Sequence, residues 1–209
     1  MPSAELLLPF LLATFMFAYM PGPALLYTVA QTMVRGRRAG FAAVLGIHLG
    51  CYVHVLGATL GLSAVLTHVP SIYLALKILG AAYLVYLGYR ILTSPPESRL
   101  PAVQTRSARR SFIDSVLVEV LNPKAALFFI AFLPQFVDPS AAWPVWVQFL
   151  VMGTFVNFAF SSADIVAVLL TERIVRVTKA SAIGQRIAKV IGGSVLMGLG
   201  AHLALSRQT

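Results

Sequence analysis

Charge is scarce in this chain. Only 11% of its 209 residues are Asp, Glu, Lys or Arg, where a soluble domain carries roughly 25%. Acids are the scarcer sign, with seven Asp and Glu against sixteen Lys and Arg. Hydrophobic residues make up 58% and the mean hydropathy is +0.84. A soluble fold of this length could not hide so much apolar surface in one core. A bilayer removes the difficulty by acting as the solvent.

Cysteine is nearly absent. Cys51 stands alone inside an apolar run, which excludes an internal disulfide, a Cys-x-x-Cys redox motif and a Cys-rich metal site. No Gly-x-x-x-x-Gly-Lys-[Ser/Thr] run occurs, so the phosphate-cradling loop of an ATP-driven machine is missing. His48 and His54 are six residues apart and fall on different helix faces, unlike an i, i+4 metal pair. No cofactor or resident metal is expected. The net charge of +9 does not indicate nucleic acid, because the Lys and Arg residues sit in short clusters between apolar runs and form no continuous basic face.

The apolar runs are what the chain has in quantity. A helix crosses the hydrocarbon core with roughly 20 apolar residues. Six candidates occur, at about Leu6–Val34, Gly40–Leu66, Ile72–Leu92, Phe112–Val137, Pro144–Thr171 and Ile187–Leu205. The first is broken at Pro21-Gly22-Pro23 and the fourth at Asn122-Pro123. The first lacks a positive leader and a convincing cleavage signal, so it reads as a retained helix. The stretch Thr93–Ser111 is the one long hydrophilic loop, and the basic stretch Glu172–Arg186 reads as partly helical. Thirteen of the sixteen Lys and Arg residues fall in three alternate loops, after the first, third and fifth helices, while Thr67–Ser71 and Asp138–Trp143 hold none. By the positive-inside rule the basic loops are cytoplasmic, both termini are outside, and Trp143 and Trp146 anchor the outer interface.

The chain also reads as two copies of a three-helix unit. Pro23 aligns with Pro123, Lys77-x-x-Gly80 with Lys189-x-x-Gly192, Gly88 with Gly200, and Gly46 with Gly153. Three is odd, so the second copy enters the membrane inverted, the arrangement of many secondary transporters. The fold class is therefore all-α, a single transmembrane domain over 1–209. Repeat one covers about 1–93, a cytoplasmic linker about 94–111, and repeat two about 112–209.

The breaks mark the candidate site. Proline removes a backbone donor and clashes with the preceding turn, and unsatisfied backbone at membrane depth is tolerated only where protein or a wet cavity surrounds it. Each break exposes the start of a half-helix, at Pro21, Gly22, Pro23 and Ala24 and at Asn122 and Pro123, whose free N–H groups suit a carboxylate. Lys124 follows the second break near mid-membrane, where a lysine is costly and rarely idle. Glu119 and Asp164 are the acids inside helices. Either suits a substrate ammonium or a coupling proton, or a structural ion pair with Lys124 or a basic loop residue. Gly46-x-x-x-Gly50 and Gly57-x-x-x-Gly61 bring helices close, within one chain or between two copies, so a homodimer is permitted.

Two motifs carry a resemblance. Met20-Pro21-Gly22-Pro23 with Gly36-Arg37-Arg38-Ala39-Gly40 and Gly46, and Leu121-Asn122-Pro123-Lys124-Ala125-Ala126-Leu127-Phe128-Phe129 with Leu133-Pro134-Gln135-Phe136, resemble the signatures of the LysE/RhtB amino-acid exporters. Helix count and loop placement fit along essentially the whole chain. Glu119 stands where the resemblance leads one to expect a neutral residue. The resemblance implies a non-enzymatic carrier of the bacterial inner membrane that exports amino acids or close derivatives by alternating access, driven by an ion gradient, protons above all. A metal-ion exporter of related architecture is the alternative, and it calls for clustered His and Asp ligands. A redox carrier would need a cysteine pair or axial histidines, and a scaffold would leave the central charges without a use.

Overall fold

A computed structural model describes residues 4–68, 70–93 and 108–180, with single positions between 186 and 205. The loop expected at 94–111 up to residue 107, most of the sixth expected helix with Lys189 and Gly192, and the surroundings of Lys77 and Gly80 lie outside the described residues. Among the described residues the structure is helical, with no strand. The helices are α1 (Ala4–Tyr19), α2 (Pro23–Arg35), α3 (Arg37–Leu56), α4 (Ser63–His68), α5 (Pro70–Thr93), α6 (Ala108–Val120), α7 (Pro123–Leu127) and α8 (Val145–Ala180). Both expected breaks are present. Between α1 and α2 the axis bends by 43°.

Arg37–Val65, Ser111–Phe136 and Val145–Thr171 are long and apolar enough to cross a membrane, and the bent α1–α2 pair brings the number to as many as four among the described residues. The third expected crossing is one helix, α5. Two features go beyond the sequence reading. Wide π-helical turns occupy Gly57–Leu62, between α3 and α4, and Phe128–Phe132, after α7, followed by a 3₁₀ turn at Leu133–Phe136. The helix α8 runs on to Ala180 and so takes in the first part of the basic stretch.

The packing register orders the bundle. On α3, a Cβ at Gly46 would lie 2.7 Å from Ser115 Cβ, and one at Gly50 would lie 2.7 Å from the Val116 carbonyl oxygen. Higher numbers on α3 meet higher numbers on α6, so the two run parallel. Against α8 the order reverses: Gly40 sits by Val168, His48 by Ser161 and Gly153 by Val55. Close backbone approach at Gly46 and Gly50 is a within-chain contact, while Gly57 and Gly61 have no atom within 4 Å of an added Cβ. The loop at Arg35–Arg38, the start of α6 and Thr171 thereby share one end, where Arg35 donates to the Ser111 hydroxyl and the Tyr27 hydroxyl reaches the Ser111 carbonyl. The segment Asp138–Trp143 lies at the other end. There Gln148 ties it down, donating to the Asp138 and Trp143 carbonyls and accepting from the Asp138 N–H.

Candidate functional site

Breaking a helix with proline leaves carbonyl oxygens without donors. Pro123 has no N–H to give to the carbonyl of Glu119, four residues earlier. That oxygen instead faces the His54 ring nitrogen Nε2 at 2.9 Å and receives the Asn122 N–H at 2.9 Å. A carbonyl only accepts, so His54 must carry its proton on Nε2. Its ring also stacks on Phe129, with centroids 5.8 Å apart. At the first break the Met20 carbonyl is left over, and Lys124 Nζ donates to it at 2.5 Å. This carbonyl ends α1, where the helix dipole favours a cation. Each break is therefore closed by a side chain from the other half of the chain.

The two breaks touch. A Cβ on Gly22 would stand 2.7 Å from Lys124 Cδ, so only a glycine there lets the lysine pass over the first break. The ammonium lies 5.3 Å from the centre of the Phe17 ring and 5.5 Å from that of Phe160, the geometry of cation–π attraction. Asn122 serves two partners. Its Oδ1 accepts from the Lys124 N–H at 3.0 Å, capping α7, and its Nδ2 donates to Glu119 Oε2 at 2.8 Å. The Cys51 thiol lies beside the same carboxylate.

Around these groups is a narrow cleft of about 310 Å³, including the solvent it opens to. Gly22, Ala24, Asn122, Lys124, Glu119 and Asp164 all line it, with Ala18, Leu25, Ile47 and Phe160. Six of the nine residues singled out in the sequence are thus brought together. Pro21, Pro23 and Pro123 do not line the cleft; they are exposed and shape the breaks. The half-helix starts differ from one another. Asn122 already caps α7, whereas Gly22 gives α2 no side-chain cap, leaving the first-turn N–H groups of Ala24 and Leu25 at the cleft without intrahelical partners. Asp164 is 4% exposed and makes no hydrogen bond among the described residues. The cleft therefore presents one ammonium, already seated on a carbonyl, and two carboxylates, that of Glu119 held by Asn122 and that of Asp164 without a hydrogen bond among the described residues.

His54, Phe17 and Phe160 were not singled out as site residues by the sequence reading. A donor for the Glu119 carbonyl was implied by Pro123, but nothing along the chain said which side chain supplies it. His48 is occupied elsewhere: Nδ1 pairs with the Ser161 hydroxyl at 2.7 Å, and Asn157 donates to its carbonyl at 3.1 Å. Among the described residues no group of three or more His, Cys, Asp or Glu is placed to hold a metal ion.

An apolar helical bundle folded around a charged cleft at two helix breaks has the build of a membrane translocator. The comparisons with known proteins agree. Residues 15–207 match the LysE type translocator family, and the chain belongs to it. It is 38% identical to an uncharacterized membrane protein of Pseudomonas aeruginosa over 140 residues, 64% of each chain. It is 27% identical to an uncharacterized membrane protein of Vibrio cholerae over 96% of its own length and 97% of the relative's. It is also 27% identical to the leucine efflux protein of Salmonella choleraesuis, over 93% and 92%. No solved structure matches the chain.

Proposed function

We propose that this translocator exports amino acids or close derivatives from the cytoplasm, as a proton-coupled secondary carrier working by alternating access. The observation that carries the reading is Lys124 lying across Gly22, at the meeting of both helix breaks, in one cleft with the carboxylate of Asp164. A zwitterion needs one positive and one negative partner in the same cleft, and Lys124 and Asp164 both line it. Its carboxylate would meet Lys124 and the first-turn N–H groups of α2, by the logic of helix N-termini. Its ammonium would meet Asp164. Glu119, held by Asn122, would exchange the proton. The efflux relative named for leucine supports an amino-acid substrate.

In this reading the chain is one domain of six crossings. Repeat one is about 1–93, the linker about 94–111 and repeat two, inverted, about 112–209. The grouping of Arg35–Arg38, the start of α6 and the end of the α8 span at one end supports a cytoplasmic basic face and outer termini in the inner membrane. The test is export of labelled leucine from loaded proteoliposomes under an imposed proton gradient. Wild-type protein exports it, and Lys124→Ala and Asp164→Asn each slow it at least tenfold. Export at the wild-type rate by Lys124→Ala would remove the proposed site.

A further inference from the structure

Beyond Lys124 the bundle changes character. On the side toward the Asp138–Trp143 end, aromatic rings fill the space that on the other side is cleft. Phe128 packs on Phe17 at 5.0 Å, on Phe132 at 5.2 Å and on Phe160 at 5.5 Å between centroids. Phe132 continues to Phe136 at 5.3 Å, and Phe136 to Phe10 at 5.5 Å. These six side chains are 0–9% exposed. They come from α1, the segment after α7, and α8; α1 and α8 also line the cleft, through Ala18, Phe160 and Asp164. The column begins at the rings flanking the Lys124 ammonium and ends at Phe10 and Phe136, near the outer ends of their spans.

We infer that Phe17, Phe128, Phe132 and Phe160 form the outer gate of the translocation path, the plug that separates the charged cleft from the face bearing Asp138–Trp143. The inference rests on the carrier reading above. Apolar rings suit the task, because closed against one another they leave no polar group to conduct water or a solute. Their contacts are also dispersive, so they part without breaking hydrogen bonds. Phe128 and Phe132 are the two ends of the π-helical turn Phe128–Phe132. Such turns are rare and often sit at functional positions, and here one holds two gate rings on a segment that a change of one residue in register would rotate.

The native cysteine reads the gate. Cys51 is the single thiol of the chain, 1% exposed, next to the Glu119 carboxylate that lines the cleft. A small membrane-impermeant cationic methanethiosulfonate is applied to right-side-out and to inside-out vesicles, without substrate. Phe128→Ala with Phe132→Ala should speed Cys51 modification at least tenfold from the Asp138–Trp143 face and leave the rate from the basic face unchanged. Phe158→Ala, at similar depth but 59% exposed, should label like wild type from both faces. A double variant that elutes as folded protein and labels at the wild-type rate overturns the gate, as does an equal rise from both faces. Should the double variant not fold, Phe132→Leu replaces it, with at least a threefold rise expected from the one face and an unchanged rate overturning the inference. Leucine export by wild-type protein decides the carrier reading separately, since the labelling needs no transport.

Discussion

Replacing Gly22 with alanine adds one methyl group where the two helix breaks meet. The backbone there is extended, φ −143° and ψ 176°, a conformation any residue adopts, so the substitution brings no backbone strain. By itself it should stabilise by about 0.4–1 kcal/mol, because the unfolded chain loses freedom. The new Cβ, however, would lie 2.7 Å from Lys124 Cδ, well inside van der Waals contact. The lysine must leave its place, and with it the bond to the Met20 carbonyl at 2.5 Å. A hydrogen bond to a charged group contributes roughly 1.5–3 kcal/mol. The net loss is then about 1–2 kcal/mol, with export reduced at least tenfold because the ammonium is displaced from the cleft. Thermal unfolding in detergent and leucine export from proteoliposomes measure the two effects. A double-mutant cycle with Lys124→Ala isolates the cause. Without the lysine stem there is nothing to strike, so Gly22→Ala should become neutral or mildly stabilising. If Gly22→Ala destabilises as much in the Lys124→Ala background as in the wild type, the contact is not what glycine serves, and the reasoning fails.

Three other outcomes follow from the packing. His54→Phe keeps the ring on Phe129 but loses the donor to the Glu119 carbonyl, and should lower stability by about 1–2 kcal/mol, read in the same unfolding assay; unchanged stability would mean that the Asn122 N–H suffices. Gly50→Ala drives a Cβ to 2.7 Å from the Val116 carbonyl and 3.0 Å from Glu119 Cβ, so α3 and α6 must part at a cost of about 1–3 kcal/mol, while Gly61→Ala, with open space around it, should stay within about 0.5 kcal/mol of wild type. Between the candidate spans, the Ser140 hydroxyl at 2.6 Å and the Ser140 N–H at 2.8 Å hold the Asp138 carboxyl below its ordinary value. A depressed carboxyl favours the folded loop above the ordinary Asp range and loses that effect as pH falls through the lowered value. The Asp138 side-chain resonance should therefore titrate at lower pH in wild type than in Ser140→Ala, and equal midpoints would refute the bonding.

Much of this architecture was legible along the chain because the membrane makes the code simple. Apolar length marked the three or four spans found among the described residues, and proline marked the breaks at 21–23 and 122–123, since a missing N–H is a property of the residue itself. Lys124, Glu119 and Asp164 stood out because charge in an apolar run has few explanations. What was not legible is pairing across the bundle. His54 looked like any polar residue on α3, and only the three-dimensional register sets it against the one carbonyl that Pro123 leaves free. The need for Gly22 under the Lys124 stem is likewise a contact between residues 102 positions apart. The two half-helix starts looked equivalent in sequence, yet Asn122 turns back to cap its own helix and Gly22 has no side chain with which to do so. The π-helical turns at 57–62 and 128–132 were missed because an extra residue in one helical turn leaves the apolar content unchanged.

The most direct test is whether the cleft binds an amino acid through these residues. A ligand that binds only the folded state raises its melting temperature, contributing RT ln(1 + [L]/Kd), roughly 2.7 kcal/mol at a hundredfold excess over Kd. Purified wild-type protein titrated with leucine and related amino acids should melt at progressively higher temperature, and Asp164→Asn should respond at least tenfold more weakly. A wild-type melting temperature that no amino acid moves, or a rise that Asp164→Asn shows in full, would contradict a substrate site at the meeting of the two helix breaks.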